Sequence, residues 1–201
     1  MESWTCADGR TCELTHITQR QGDEAIRRHY LGKWPAVVVC KLGLWQGLHL
    51  GGIVVFALPP RETAVRYGGI TWELARLWVE DGFPRNVESW LIARAVRHVK
   101  RVHPSVEFLV SYADPSAGHT GLIYMASNWV ADGVTDEGRK TPRFDYIYGG
   151  RRYSRKGHLP SGVGTERVPR VSKARFCLNL ERTIPRRGAG VTKREELCQS
   201  E

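Results

Sequence analysis

The sequence predicts a mixed α/β (α+β) domain built on a central, mostly antiparallel sheet flanked by helices. Three observations predict it. Apolar β-branched runs of strand length recur between turn-forming residues, one long segment repeats its apolar side chains at steps of four, and the two signals alternate along the chain. A length of 201 residues with 41% hydrophobic content suits one compact core rather than two. The expected organisation is a single domain over 1–182, its C-terminal part basic from about 139, and a flexible tail over 183–201.

The elements follow in order. Pro35 to Trp45 is apolar and β-branched, Gln46-Gly47 turns the chain, and Leu48 to Leu58 resumes the apolar run, which predicts a hairpin of two buried strands. Pro59-Pro60 ends it, because proline donates nothing to a sheet ladder. Trp72 to Val79 predicts a strand whose alternation puts Trp72, Leu74, Arg76 and Trp78 on one face. After the breaker Asp81-Gly82-Phe83-Pro84-Arg85, a helix is predicted to about Val102, with Val87, Leu91, Ala95 and Val99 inward and Asn86 as N-cap. Arg94, Arg97 and Arg101 then form a solvated outer stripe. Further predictions are a strand over Val106 to Tyr112, a turn over Asp114 to Gly118, a short helix from His119 to Ser127, and strands at Trp129-Val130 and over Phe144 to Tyr148.

Charge is unevenly spread. The chain carries +9, and between Arg139 and Arg187 fourteen Lys and Arg face three acids, so that segment alone carries +11. Phe144, Tyr146, Tyr148, Tyr153 and Phe176 are interleaved with those cations. A polyanion is the expected partner, and cation-plus-aromatic composition suits double-stranded DNA, with Arg151, Arg152, Tyr153, Arg155 and Lys156 as the contact residues. Five cysteines in no C-x-x-C pair argue against a disulfide framework and a zinc knuckle. No apolar run reaches membrane-spanning length and the N-terminus has no secretory layout, so a soluble protein of the cytoplasm, with no membrane partner, is expected. A homodimer is compatible with the sequence.

The densest cluster of chemistry-bearing residues runs from Tyr112-Ala113-Asp114 through Gly118-His119-Thr120-Gly121-Leu122-Ile123-Tyr124-Met125-Ala126-Ser127-Asn128-Trp129. Together with the Leu74-Ala75-Arg76-Leu77 strand, the Asn86-Val87-Glu88-Ser89 helix start and an N-terminal His29-Tyr30 before Trp34-Pro35, it resembles the Mom family of bacteriophage proteins. Their fold is similar to that of GCN5-related N-acetyltransferases, with a splayed sheet, and the strand–helix order here has the same cadence. The resemblance implies an enzyme that converts adenine in phage DNA to its N6-carbamoylmethyl form, protecting it from host restriction. It implies Arg76, Ser89, Asp114 and Tyr124 as site residues, then His29 and Tyr30, and acetyl-coenzyme A or a related acyl donor. In acetyltransferases the coenzyme pyrophosphate lies over the helix start, where free N–H groups favour an anion. The usual glycine-rich loop is absent here, leaving Arg85, Asn86 and Ser89 as polar groups for a phosphate.

Each residue has a stateable chemistry beside a plain structural one. A carboxylate such as Asp114 would steer the proton of the weakly nucleophilic N6, and a tyrosine such as Tyr124 holds its proton at neutral pH for a departing thiolate, or simply packs in a core. Arg76 on an apolar row needs a partner, whether Asp114, a coenzyme or DNA phosphate, or a structural ion pair. His29, Tyr30, Asp114 and Tyr124 offer ligand types suited to iron, though no spacing demands a metal. Two other readings are open: an N-acyltransferase acting on another amine, such as an aminated pyrimidine, and a non-catalytic DNA-binding protein.

Overall fold

The computed structural model describes residues 2–5, 9, 11–84, 86–149, 151–153 and 166–181. Along the chain these form β1 (Glu2–Thr5), β2 (Thr11–His16), α1 (Gln19–Arg28), β3 (Val38–Gln46), β4 (His49–Ala57), α2 (Arg61–Tyr67), β5 (Thr71–Val79), α3 (Val87–Val102), β6 (Phe108–Ala113), a 3-10 turn (Pro115–Ala117), α4 (Leu122–Ala126), β7 (Val130–Val134), β8 (Phe144–Tyr148), β9 (Arg151–Tyr153), β10 (Glu166–Pro169) and β11 (Ala174–Asn179). Eight strands make one sheet in the order β1-β2-β3-β4-β5-β6-β11-β7, and β10-β8-β9 make a second, small one. Every neighbouring pair in the large sheet is antiparallel except β5 and β6. The predicted mixed architecture is therefore the observed one.

The sheet is covered on both faces. α3 buries Val87, Leu91, Ile92, Ala95, Val96 and Val99 against Leu42, Leu44, Val54, Phe56 and Leu74, the larger core. α1 buries Ala25 and Ile26 on the opposite face, against Ile17, Ile53 and Val55, with Trp34, Trp45 and Trp78 closing the edge. α1 went unpredicted although its start carries a signal: Thr18 and Gln21 form a reciprocal capping box, with both side chains bonded to backbone N–H groups.

Three expectations are corrected. In the β4–β5 ladder Val55 faces Arg76 but Phe56 faces Leu74, so Ala75 is an extra residue, a bulge. Alternation inverts there, leaving Trp72 and Leu74 on the α3 face while Arg76 and Trp78 turn to the α1 face beside Val55 and Ile53. Asn86 precedes α3 in a left-handed conformation (φ 68°) and makes no side-chain cap. Its carbonyl instead accepts from the Ser89 hydroxyl at 2.9 Å.

The third correction concerns the basic C-terminal part. β11 lies inside the large sheet between β6 and β7, placing Phe176 and Leu178 in the core. Among its described cations, Arg175 meets Asp132 at 3.0 Å, Lys173 meets Asp114 at 2.7 Å, and Arg170 meets Asp145 at 2.6 Å. Arg167 lies 3.7 Å from the Phe144 ring centre. These four cations are held by partners within the fold. Arg155, Lys156, Arg85 and the expected 183–201 tail lie outside the described residues, as do the side chains of Arg151 and Arg152. Tyr153 sits on β9 opposite Tyr146.

Candidate active site

β5 and β6 pair only where Thr71–Glu73 run beside Phe108–Val110. The bulge at Ala75 bends β5 immediately afterwards, and the strands diverge. One side chain spans the opening, Ser111, whose hydroxyl donates to the Leu74 carbonyl at 2.9 Å. Among the described residues, no strand pairs with β5 past Glu73 on this side; the Leu74 carbonyl is taken by Ser111 and that of Ala75 by Arg76, and the edge beyond them faces no neighbouring strand. A cleft of about 540 Å³ fills the divergence, with His29, Tyr30, Glu73, Arg76, His119 and Tyr124 among its lining.

The bulge sets Arg76. Turned to the α1 side, its Nη1 donates to the carbonyl of Ala75 at 2.6 Å and its Nε to that of Lys33 at 2.9 Å. Its partners are thus backbone carbonyls rather than a carboxylate, and they fasten the segment after α1 to the cleft wall. That segment carries His29 and Tyr30.

His29 is 7% exposed, and its Nδ1 accepts from the Leu31 amide at 3.1 Å, which leaves the ring proton on Nε2. Burial, with the nearby Arg76 and His119, pushes its pKa down to about 4. A group buried neutral stabilises the fold fully above its unfolded pKa and less as pH falls toward its folded one. Stability should therefore drop by about 3 kcal/mol from this group between pH 6.5 and about 4. His29→Asn, which keeps an acceptor for Leu31, should flatten that part of a urea-unfolding pH series; an unchanged slope would show that His29 is not buried neutral. Tyr30 stacks at 4.6 Å on His29 and meets His119 edge-on at 4.9 Å, and its ring, half-exposed, forms the cleft mouth.

Tyr124 enters from the other wall. Gly121 starts α4 at φ 81°, which permits the sharp approach that buries Tyr124 between Trp129 and Phe176, with ring centres 5.5 and 5.2 Å away. Burial raises its pKa, opposed by the Ser111 hydroxyl, so the phenol keeps its proton at neutral pH.

Arg76, Tyr124, His29 and Tyr30 thus come together, while Asp114 lies beside the cleft, close enough to act on Tyr30 and paired with the lining Lys173, and Ser89 and Asn86 stand apart. Asp114 does not line the cleft. One oxygen caps the 3-10 turn by accepting from the Ser116 amide (3.0 Å) and hydroxyl (2.5 Å), and the other binds Lys173. Burial works against that charge, but Lys173 and Ser116 bring its pKa below the usual value. Ser89 and Asn86 line a separate groove of about 590 Å³ between α3 and the end of α4, with Trp90, Arg97 and Lys100. The iron expectation loses support accordingly, since Asp114 is engaged by Lys173 and His29 Nδ1 by a backbone amide.

Glu73 is the residue sequence reasoning missed. It is the last residue of β5 paired with β6, lines the cleft, and has its pKa raised by burial, against the pull of Arg76 and Lys173. It also lines a second basin of about 770 Å³, shared with Tyr112 and Lys173, whose walls carry Arg61, Arg66, Arg139 and Arg143 beside Glu62, Asp136 and Glu137; Arg143 and Arg139 pair with Asp136 and Arg66 with Asp132. The two depressions therefore meet at Glu73.

Known structures share this frame. The Bacillus subtilis acetyltransferase in complex with CoA superposes with a TM-score of 0.51 at 12% identity, over 84% of this chain and 97% of that one. The Escherichia coli ribosomal-protein-S18-alanine N-acetyltransferase gives 0.52 at 9%, over 87% and 97%. The fold is thus that of the GCN5-related N-acetyltransferases, with the splay in the parallel pair. In sequence, the chain is 33% identical over 108 residues to the methylcarbamoylase Mom of Escherichia phage Mu, a stretch that is 51% of this chain and 45% of that relative. The match therefore spans about half the relative's length. The model of the Mom protein family matches residues 11–159, from β2 through β9 and across every wall of the cleft except Lys173. The chain belongs to the Mom protein family.

Proposed function

We propose that this chain transfers a carbamoylmethyl group to N6 of adenine in phage DNA within the host cytoplasm, altering the base edge that restriction nucleases read. The observation that carries the reading is the splayed cleft, which holds a proton acceptor, Glu73, a proton donor, Tyr124, and a half-exposed aromatic, Tyr30, around one space. The methylcarbamoylase name of the phage Mu relative supports the choice of group.

An acyl-coenzyme A fits the residues present. The open edge of β5 beyond Glu73 suits an extended arm, and the α3–α4 groove offers Arg97, Lys100 and Ser89 to phosphates where Phe83-Pro84 replace a glycine-rich loop. When bound, such a coenzyme supplies an activated acyl carbon. Acyl transfer from such a thioester would form the amide N–C(=O)–CH3 and release the thiol, whereas the proposed product N–CH2–C(=O)–NH2 needs the N6–CH2 bond to form as the bond from that methylene to its leaving group breaks. The donor for this step therefore carries its leaving group on the methylene and is not acetyl thioester.

The chain's own groups have distinct tasks. Glu73 takes the N6 proton at its carboxylate, and Tyr124 releases its phenolic proton to the departing atom. His29 presents Nε2–H to developing negative charge, and Arg76 holds the His29-Tyr30 segment in place. The flipped adenine stacks on Tyr30. DNA phosphates lie along the second basin, on Arg61, Arg66, Arg139 and Arg143, and extend toward Arg151, Arg152, Tyr153, Arg155 and Lys156.

Nucleoside mass spectrometry of DNA from cells expressing the chain tests this. Carbamoylmethyl-deoxyadenosine is expected. An acetylated amine on another base would favour the second reading, an ordinary N-acyltransferase, which the fold supports, and unchanged nucleosides would leave only DNA binding. In the same preparation, Arg61→Glu with Arg139→Glu should weaken binding to all DNA sequences and reduce the salt slope by about 2. Unaltered affinity would remove the basin from the DNA path.

A further inference from the structure

On the α3 face, away from the cleft, the fold assembles a cluster that no sequence spacing announces. His16, Cys40 and His98 each turn one ligand atom to a common point, and the three atoms lie within 4.8 Å of one another. The sheet register explains how. His16 pairs with Leu42, and Cys40 is two residues before Leu42 on β3, so His16, Leu42 and Cys40 share one face. α3 packs across that face, and His98 follows Ala95 by three and precedes Val99 by one on its inward side, so its imidazole descends onto the pair. The His16 and His98 ring centres are 4.7 Å apart, and Cys40 is 4% exposed.

We propose that His16, Cys40 and His98 form a transition-metal site, with Zn²⁺ as the ion that the donor set fits best, open to solvent on the His16 side. Two imidazoles and a thiolate are the donors that zinc and its softer neighbours select. Bonds of about 2.0–2.3 Å in a tetrahedral centre place donor atoms roughly 3.4–3.8 Å apart, so side-chain rotations that draw the three atoms in by about 1 Å complete the centre. His16 is exposed, giving the ion a way in and leaving a fourth position for water. Such a site fastens β2 and β3 to α3, and it shares no residue with the cleft lining. Its role is therefore to hold the frame rather than to take part in group transfer.

Two features separate this cluster from ordinary packing. The three donors come from three separate elements, and an exposed and a half-buried imidazole converge on the buried Cys40 thiol at the margin of the larger core. The site is independent of the proposed adenine chemistry, so either reading can fail without the other.

The test uses the full chain, stripped with chelator under reducing conditions and titrated with Co²⁺. One equivalent should bind with a thiolate-to-cobalt charge-transfer band and the visible bands of tetrahedral cobalt, and Zn²⁺ should displace both. Thermal stability should rise with Zn²⁺ concentration. Cys40→Ser should abolish the charge-transfer band. Because Cys40 is buried and its variant could misfold, His16→Ala at the exposed position is the companion, expected to weaken Co²⁺ binding at least tenfold while circular dichroism stays unchanged. No charge-transfer band in the unaltered chain, or a band of full strength and affinity in His16→Ala, would overturn the site.

Discussion

Glu73→Gln is expected to lower adenine modification by about 10²- to 10⁴-fold, the range for losing a positioned proton acceptor. Glutamine has the same shape and fills the same part of the cleft, so packing and DNA retention should be preserved while the acceptor is lost. Burial lifts the Glu73 pKa above the ordinary glutamate value, against Arg76 and Lys173. The modification rate of the unaltered protein should therefore rise with pH through a range above that of an exposed glutamate, and the variant should lack this limb. Timed nucleoside mass spectrometry beside a DNA-retention assay reads both. Full activity in Glu73→Gln would transfer the acceptor role elsewhere, and Asp114 is the less suitable group because Lys173 and Ser116 stabilise its ionised form.

The second large effect is on the fold. Gly121 stands at φ 81°, and a Cβ added there would overlap the Phe176 ring. Left-handed backbone costs an alanine about 1–2 kcal/mol and overpacking a further 1–3. Gly121→Ala should thus destabilise the protein by roughly 2–5 kcal/mol, lowering Tm by about 4–20 °C at this chain length. Phe176 packs on Tyr124, so displacement reaches the cleft and activity should fall with stability. Adding Phe176→Leu to Gly121→Ala makes room and should recover part of the loss, a coupling that two independent sites would not show. A Tm within about 2 °C of the unaltered protein, against a scale of roughly 2–4 °C per kcal/mol, would mean that α4 does not approach β11 this closely.

How much was legible beforehand differs by element for physical reasons. α3 and the β3–β4 hairpin announce themselves because burial on one side imposes a period that the sequence must keep. α1 is amphipathic as well, but its buried face is only Gly22, Ala25 and Ile26 within a mostly polar stretch, so the capping pair is its clearer signal. β11 was hidden by averaging: Phe176 and Leu178 alternate as a buried strand requires, but the surrounding arginines and lysines dominate the composition. The Ala75 bulge exists only in relation to β4, and it decides which way Arg76 points, so no local pattern could show it. Arg76, Tyr124, His29 and Tyr30 were found as motif residues and do share the cleft. Glu73 was passed over because an isolated glutamate on a strand looks solvated, and both its burial and the nearby charge of Lys173, far along the chain, arise only in the fold.

The insertion of β11 between β6 and β7 has a consequence for how the molecule comes into being. During synthesis both flanking strands leave the ribosome well before their common neighbour, each with a row of unsatisfied amides and carbonyls. Until residue 179 emerges, that half of the sheet cannot close, and the wall beneath Tyr124 lacks Phe176. Long-range closure of this kind is slow relative to local pairing. The nascent chain therefore passes through a state with open strand edges, and the wall of the cleft behind Tyr124 is completed only when β11 is in place.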